Sequence, residues 1–556
     1  MFRQFAGLLS YFSVPDLRRI FYSTGLSTAL LFLAYYSGFL RVAPRGVLLI
    51  DFMLAFTGLS LVRLGFRLVR EQYLTPQSGS QRRARRVGII GAGDVGASLA
   101  RDLMARRGLG LVPIAFFDDD RSKWRSRVHD IPVVGPPESL LDQKLNLELE
   151  EAIIAMPSAP AKRIGDVIKI LQKARLKFET VPSVDQLATG KVKVSQLRSV
   201  EIQDLLGRKP VELDTKNIGA TLSRRVVMVT GAGGSIGSEL ARQIATFSPQ
   251  RLLLVDQSEV QLFPIEQELI ESGYGGQILP LVADILDAPR MRYILKRFVP
   301  EVIFHAAAHK HVPMMESQPS EAIKNNTLGT AQLAEMALEF GVDRFVLIST
   351  DKAINPTNVM GVTKRLAEIF VQALYAHSPN RTKFMAVRFG NVLGSSGSVI
   401  PIFNRQIAAG GPVKVTHADV TRYFMTIPEA SGLVLQSAAQ GSGGEIFVLD
   451  MGQPVKIVDL ARQLIELSGL KPDEDIEIEF VGLRPGEKLF EELSYKGENI
   501  TPTNHPKIMR FVTQPAAIDE VRQQLQDLAS RLHEIEPNQL KTLLKKIVPE
   551  YQPYLT

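Results

Sequence analysis

The chain has 556 residues, 45% of them hydrophobic, with 65 Lys and Arg against 58 Asp and Glu, a formal net charge of +7. That length fits about three to four domains, and the absence of Cys excludes disulfides, thiolate metal sites and a Cys nucleophile. Residues 1–90 hold twelve Arg, no Lys and only Asp16, Asp51 and Glu71 as acids, a net +9 that leaves −2 for the other 466. The basic character therefore suits anionic lipid headgroups and argues against nucleic acid as a partner.

Ile20 to Leu40 runs 21 residues without a charge, between Arg18-Arg19 and Arg41. As a helix it is about 31 Å long, enough for a hydrocarbon core of about 30 Å. Gly46 to Val62 is the weaker candidate, 17 residues with Asp51 inside. Together they predict a membrane anchor over residues 1–75, with Arg41 to Arg45 as a tight hairpin; one span plus an interfacial helix is the alternative. The Arg cluster from Arg63 to Arg86 places the following domains in the cytoplasm. Residues 76–86, "PQSGSQRRARR", read as a polar linker.

A first α/β pattern occupies residues 87–200. It has strands at Val87–Ile90, in "LVPIAFFDDD", at Ala152–Met156 and at Phe178–Val181, and a helix over Ala161–Arg175. Gly91, Gly93 and Gly96 form a GxGxxG turn opening a helix that runs through Arg106, with Asp118 following 22 residues later. Two readings stand side by side: a second nucleotide site, or a Rossmann-like turn that keeps its glycines for backbone reasons.

After a connector (201–222), a larger pattern fills 223–556. Strands recur at Arg251–Val255, Ile278–Val282, Val302–His305, Arg344–Ile348 and Lys383–Val387 after the first, "RVVMVT", and the pattern loosens from Ile400 onward. The predicted fold class is α/β: N-terminal membrane helices, then two Rossmann-like, doubly wound parallel-sheet domains, the second with a small substrate-side lobe. Residues 517–535 read as an amphipathic surface helix.

Gly231, Gly234 and Gly237, with Ser235 and Ile236 between, follow a strand and open a helix predicted over Ser238–Thr246. Such a loop lets the backbone approach a pyrophosphate at the helix N-terminus. Asp256, 19 residues past Gly237 at the next strand end, is placed for a ribose 2′-hydroxyl and favours NAD; Asp284-Ile285 ends the third strand near the adenine. Ala306-Ala307 in "HAAAHKHVP" suit backbone packed close to that cofactor. Three His (His305, His309, His311) within seven residues raise a metal site, but Glu316 is the only acid at useful spacing, so a cofactor and substrate loop is preferred and no metal is assigned.

Thr350-Asp351-Lys352 end the fifth strand, at the mouth of a doubly wound sheet. Lys364 follows, and the residue four before it, where a proton-transferring Tyr is expected in this fold, is Met360. A thioether neither accepts nor donates a useful proton.

The motifs "VTGAGGSIGSEL", "HAAAHKHVPMME", "STDKAINPTNVMGVTKR", "RFGNVLGSSGSVIP" and "RPGEKLFEEL" resemble those of the extended short-chain dehydrogenase/reductases. Within that superfamily the chain resembles the membrane-anchored nucleotide-sugar 4,6-dehydratases of polysaccharide and glycan biosynthesis, over nearly its whole length. "DLLGR" at Asp204–Arg208 fits the long form of that family, although long-form relatives often begin with about four membrane segments where this chain offers two.

The resemblance implies bound NAD, a UDP-sugar substrate such as UDP-N-acetylglucosamine, a bacterial inner-membrane location and a homo-oligomer. Water would be lost across C5 and C6 after oxidation at C4, with hydride returned to C6. It also implies Asp351 as acid toward the C6 hydroxyl, Lys352 as base at C5, Thr350 on the C4 oxygen and Lys364 on the nicotinamide ribose, Met being usual at position 360 in the long form. For Lys352 to act as base its pKa must fall, which burial and a nearby cation favour. The C4 proton goes to water, Lys364 or Asp351. Lys310, His311, Asn391, Arg422 and Arg484 are candidates for the UDP-sugar. A UDP-sugar 4-epimerase and a non-catalytic NAD or nucleotide-sugar sensor are the alternatives.

Overall fold

A computed structural model of the chain describes residues 14–37, 44–73, 85–106, 110–142, 147–181, 211–378, 381–492 and 499–555. Most of the predicted hairpin at Arg41–Arg45, the linker up to residue 84 and Asp204–Arg208 lie outside these.

Two N-terminal helices stand as a unit, α1 (Val14–Tyr36) and α2 (Arg45–Tyr73). They meet through Phe21, whose ring lies edge-on to Phe52 (5.8 Å) and Phe56 (5.7 Å). In α2 the stretch Gly46–Gly65 is long and apolar enough to cross a membrane, with mean hydropathy 2.0; among the described residues the apolar part of α1 covers Ile20–Tyr36, and residues 38–40 of the predicted first segment lie outside them. Helix α2 runs on past Arg63. Leu33, Met53 and Leu54 are each about 70% exposed.

The first sheet contains β1 (Arg85–Ile90), β2 (Leu111–Phe117), β3 (Arg127–Val128), β4 (Ile131–Gly135), β5 (Glu151–Ile154) and β6 (Lys177–Thr180), in the order β3-β4-β2-β1-β5-β6. Helices α3 (Asp94–Ala105) and α4 (Ala161–Lys173) accompany it. β3 pairs antiparallel with β4, and the β4–β2, β1–β5 and β5–β6 pairings are parallel.

The larger domain begins earlier than predicted. Within the expected connector, α5 (Thr215–Leu222) buries Ile218 and Leu222 in the domain core, and Asp214 N–H donates to Gln436. Its main sheet is built from β7 (Val226–Thr230), β8 (Arg251–Asp256), β9 (Ile278–Val282), β10 (Val302–His305), β11 (Arg344–Thr350), β12 (Lys383–Phe389), β13 (Ile446–Leu449), β14 (Asn499–Pro502) and β15 (Ile508–Val512). Their order is β14-β15-β13-β12-β11-β10-β7-β8-β9, with β15 antiparallel to both of its neighbours, β13 and β14, and the pairings from β13 to β9 parallel. The strand order reverses between β7 and β10, which opens a crevice at their C-terminal ends.

Two apolar cores cover the faces of this sheet. One is closed by α8 (Ile518–Arg531) and α9 (Pro537–Ile547): the predicted 517–535 helix ends at Arg531 and seals the core with Ile518, Val521, Leu525 and Leu528. A third core, including Phe403, Val413, Leu460 and Ile465, forms the lobe that the sequence left irregular.

Candidate active site

The crevice is shaped first by glycine. Gly231 sits at φ +68°, and a Cβ there would lie 2.7 Å from Ala307 N, so β7 and the loop after β10 touch through backbone alone. Helix α6 (Ser235–Thr246) starts directly after Gly234, three residues earlier than predicted, which turns its N-terminal amides toward the crevice. Lining that crevice are Gly231, Gly234, Asp256, Asp284, Ile285, Ala306 and Ala307, together with His309 and Asn325. Asp256 accepts from Gly233 N–H (3.0 Å) and Ser258 N–H (2.9 Å), and Asp284 from Leu286 N–H (2.9 Å). A backbone cradle ending in two strand-end acids fits a dinucleotide.

The three His residues take separate roles. His305 is fully buried between Thr230 (2.7 Å) and Thr330 (2.9 Å). The Thr330 hydroxyl donates to Asn326 O, so it accepts from His305 Nε2–H, and Nδ1 accepts from Thr230. Burial, with the Lys364 charge, pushes this imidazole down to about 3, so it is neutral. His309 is held through its backbone by the Asn326 amide (2.8 and 3.0 Å), which lies in a π-helical stretch, Ile323–Gly329. His311 packs on Gly397. Nearby, Ser396 N–H donates to Ser235 Oγ while Ser396 O accepts from Lys310 Nζ (2.7 Å).

Strand β11 runs two residues further than predicted, so Thr350 ends it and Asp351–Ala353 form a 3₁₀ turn. Beneath it, Arg388 grips Glu368 with two hydrogen bonds (2.8 and 2.7 Å), and Ser349 donates to the same carboxylate (2.6 Å), all fully or nearly fully buried. The turn is pressed against α7 (Val359–His377), where Gly361 lets the helix approach Lys352 O; a Cβ there would be 2.1 Å away.

Asp351 Oδ1 accepts from Thr350 Oγ1 (2.9 Å) and Lys352 Nζ (3.0 Å), while buried Oδ2 accepts no hydrogen bond among the described residues. Burial raises this carboxyl above the usual Asp range against the pull of Lys352, and Glu491 raises it further. Lys352 Nζ also faces Asn391 Oδ1 (3.4 Å) and Glu491 Oε1 (3.4 Å). This corrects the expected fall in the Lys352 pKa. Burial and Arg422 do act downward, but Asp351 and Glu491 outweigh them and hold the group above the ordinary lysine value.

Met360 and Lys364 share α7. Met360 packs among Val312, Met315, Ala322 and Val359. Lys364 is 4% exposed, makes no hydrogen bond among the described residues, and is pushed down to about 8 by burial, against the opposing charge of Glu368.

Two family models match. Residues 227–513 match the family described as "Polysaccharide biosynthesis protein", and residues 14–182 one described as "CoA-binding domain". The capsular polysaccharide biosynthesis protein CapD of Staphylococcus aureus is 48% identical over 425 residues, 76% of this chain and 70% of that protein. The chain belongs to the polysaccharide biosynthesis protein family. The probable polysaccharide biosynthesis protein EpsC of Bacillus subtilis is 43% identical over 92% of this chain and 87% of its own length. A UDP-N-acetylglucosamine 4,6-dehydratase (inverting) of Campylobacter jejuni is 30% identical over 50% of this chain and 82% of that enzyme.

In this family member the fold brings Thr350, Asp351, Lys352 and Asn391 together. It commits Arg422 within the chain: the guanidinium donates to Thr421 O, Leu489 O and Lys488 O and faces Glu491 at 3.4 Å. Arg484 is exposed, its backbone N–H held by Glu487. Sequence reasoning missed Glu491 and Asn326; only the quoted "RPGEKLFEEL" pointed toward Glu491. In the small domain Asp118 repeats the Asp256 device, accepting from Ala92 N–H (2.7 Å) in the Gly91–Gly93–Gly96 turn, but Lys123 also pairs with it (3.1 Å).

Proposed function

We propose that this protein is an NAD-dependent nucleotide-sugar 4,6-dehydratase that converts a UDP-N-acetylhexosamine such as UDP-N-acetylglucosamine to its 4-keto-6-deoxy form for surface polysaccharide synthesis. The observation that carries the reading is the buried Asp351–Lys352 pair, 3.0 Å apart at the end of β11.

When bound, NAD supplies a hydride acceptor at C4 and returns the hydride at C6. Gly231, Gly234, Ser235, Ile236, Gly237, Asp256, Asp284, Ile285, Ala306 and Ala307 would hold it, with Lys364 on the nicotinamide ribose.

Lys364 accepts the C4 hydroxyl proton: burial lowers its pKa to about 8, so a minor neutral fraction is present at physiological pH and grows as the pH rises. In the ion pair one proton lies between Lys352 Nζ and Asp351 Oδ1. Its passage to Asp351 makes a carboxylic acid and a free amine side by side. Asp351 then protonates the C6 hydroxyl as the C6–O bond breaks, and Lys352 takes the C5 proton. Water is released; as C6 is then reduced Lys352 returns a proton to C5, and the proton that Lys364 took from the C4 hydroxyl restores the pair, so no outside acid or base is required. Lys310, His311, Asn391, Arg422 and Arg484 form the UDP-sugar side, Arg422 by fixing Glu491 and the 488–489 backbone. The small domain's glycine turn is assigned a nucleotide-type ligand rather than chemistry.

The exposed apolar surface of α1 and α2, with the surrounding Arg residues, supports attachment to the cell membrane with the catalytic domain in the cytoplasm. The test is NMR of UDP-N-acetylglucosamine incubated with the protein and NAD: a new C6 methyl supports the reading, and an axial C4 hydroxyl without a methyl marks an epimerase.

A further inference from the structure

Glu491 has no role in the chemistry above, yet its side chain is 3% exposed and its Oε1 stands 3.4 Å from both Lys352 Nζ and Arg422 Nε. Arg422 itself cannot move away, because its other nitrogens are fixed to the carbonyls of Thr421, Lys488 and Leu489. The neighbouring Lys488 and Glu492 have partners of their own. Lys488 binds Glu492 (3.0 Å) and Ile354 O (3.1 Å), and Glu492 also accepts from Asn355 (3.1 Å). The buried row is therefore Asp351, Lys352, Glu491, Arg422, with alternating charge.

Without Glu491, a fixed guanidinium would face the Asp351–Lys352 pair with nothing between. A like charge there disfavours the Lys352 ammonium, and an unbalanced cation favours ionised Asp351. Both effects would drive off the single proton that the pair shares.

We infer that Glu491 is a positioning residue of the elimination: it balances Arg422 and so lets Asp351 and Lys352 retain the proton delivered to the leaving hydroxyl. This rests on the dehydratase reading. Consistent with it, the Glu491 carboxyl lies below its usual range: burial opposes this, but Lys352, Arg422 and Lys488 together outweigh it, so the group is ionised at neutral pH.

The test uses the full chain in detergent with NAD and UDP-N-acetylglucosamine, comparing wild type, E491Q and E491D between pH 6 and 10. Loss of the pair's proton sets the basic limb of kcat. In E491Q that limb is expected to move down by about one pH unit or more. At pH 8 kcat should fall at least about tenfold with KM within about twofold, as for loss of acid–base assistance. Absorbance at 340 nm should rise on mixing, because C4 oxidation proceeds while elimination lags. E491D keeps the charge and should recover the wild-type limb.

An E491Q enzyme with an unmoved limb, or a fall in kcat accompanied only by a lower melting temperature, would overturn the assignment. If E491Q does not fold, E491D decides: a limb displaced less than one unit with kcat largely retained supports the role, and a collapse of kcat without displacement refutes it. Wild type forming no C6 methyl removes the dehydratase reading and this assignment together; wild type forming it while E491Q behaves identically removes this assignment alone.

Discussion

Replacing Lys364 with Met removes a buried ammonium that the fold tolerates at a cost. The group is 4% exposed, lies near neutral His305, and is lowered from 10.5 to about 8. A shift of that size is worth about 3 kcal/mol at 1.36 kcal/mol per pH unit. Because the folded pKa lies below the unfolded one, the unfolded chain binds more protons between about pH 8 and 10.5, so wild-type stability rises through that window. At pH 7 the full cost applies. K364M should therefore be inactive yet more stable than wild type at pH 7, by up to about 3 kcal/mol, with the difference shrinking as the pH approaches 10. Thermal melting of the NAD-free protein at several pH values reads the stability. Competitive acylation followed by mass spectrometry reads the amine directly, and half-maximal labelling of Lys364 is expected near pH 8. A midpoint near that of surface lysines, or a K364M protein less stable at pH 7 with a pH-independent difference, would refute the reasoning and remove Lys364 as acceptor of the C4 proton.

Glu368→Gln should destabilise the catalytic domain by about 3–5 kcal/mol, because it strips the carboxylate from the buried Arg388 guanidinium. The Glu368 carboxyl is held below the usual range, burial notwithstanding, by Arg388, Arg365 and Ser349. Its contribution is therefore present above the ordinary glutamate value and lost as pH falls below it; acid unfolding of E368Q should lack that slope, as thermal melts from pH 3 to 7 would show. Gly231→Ala places a methyl 2.7 Å from Ala307 N at φ +68°. NAD binding measured by calorimetry should weaken at least about tenfold, since the loop must move to admit the side chain.

Much of the frame was readable before the structure because apolar runs bounded by glycines and strand-end acids leave a periodic trace. β7 to β12 fall where the runs predicted, and Gly231, Asp256 and Asp284 meet at one crevice. Asp351 and Lys352 were visible as neighbours at a strand end. Their charge state was not, because it depends on burial and on Glu491, which lies far along the chain in a segment without periodicity. Asn326 was hidden for a similar reason: its π-helical turn has no compositional mark. In α2 the helix continues through Arg63, beyond the predicted Gly46–Val62 segment, because a charge at a helix position does not by itself end the helix.

The most direct measurement is the reaction of the full chain with NAD and UDP-N-acetylglucosamine in heavy water, followed by proton and carbon NMR. The account predicts a C6 methyl, a hydrated C4 ketone and deuterium at C5, with all three lost in D351N and K352M. A C4 epimer lacking a C6 methyl, or a C6 methyl formed equally well by D351N, would contradict it.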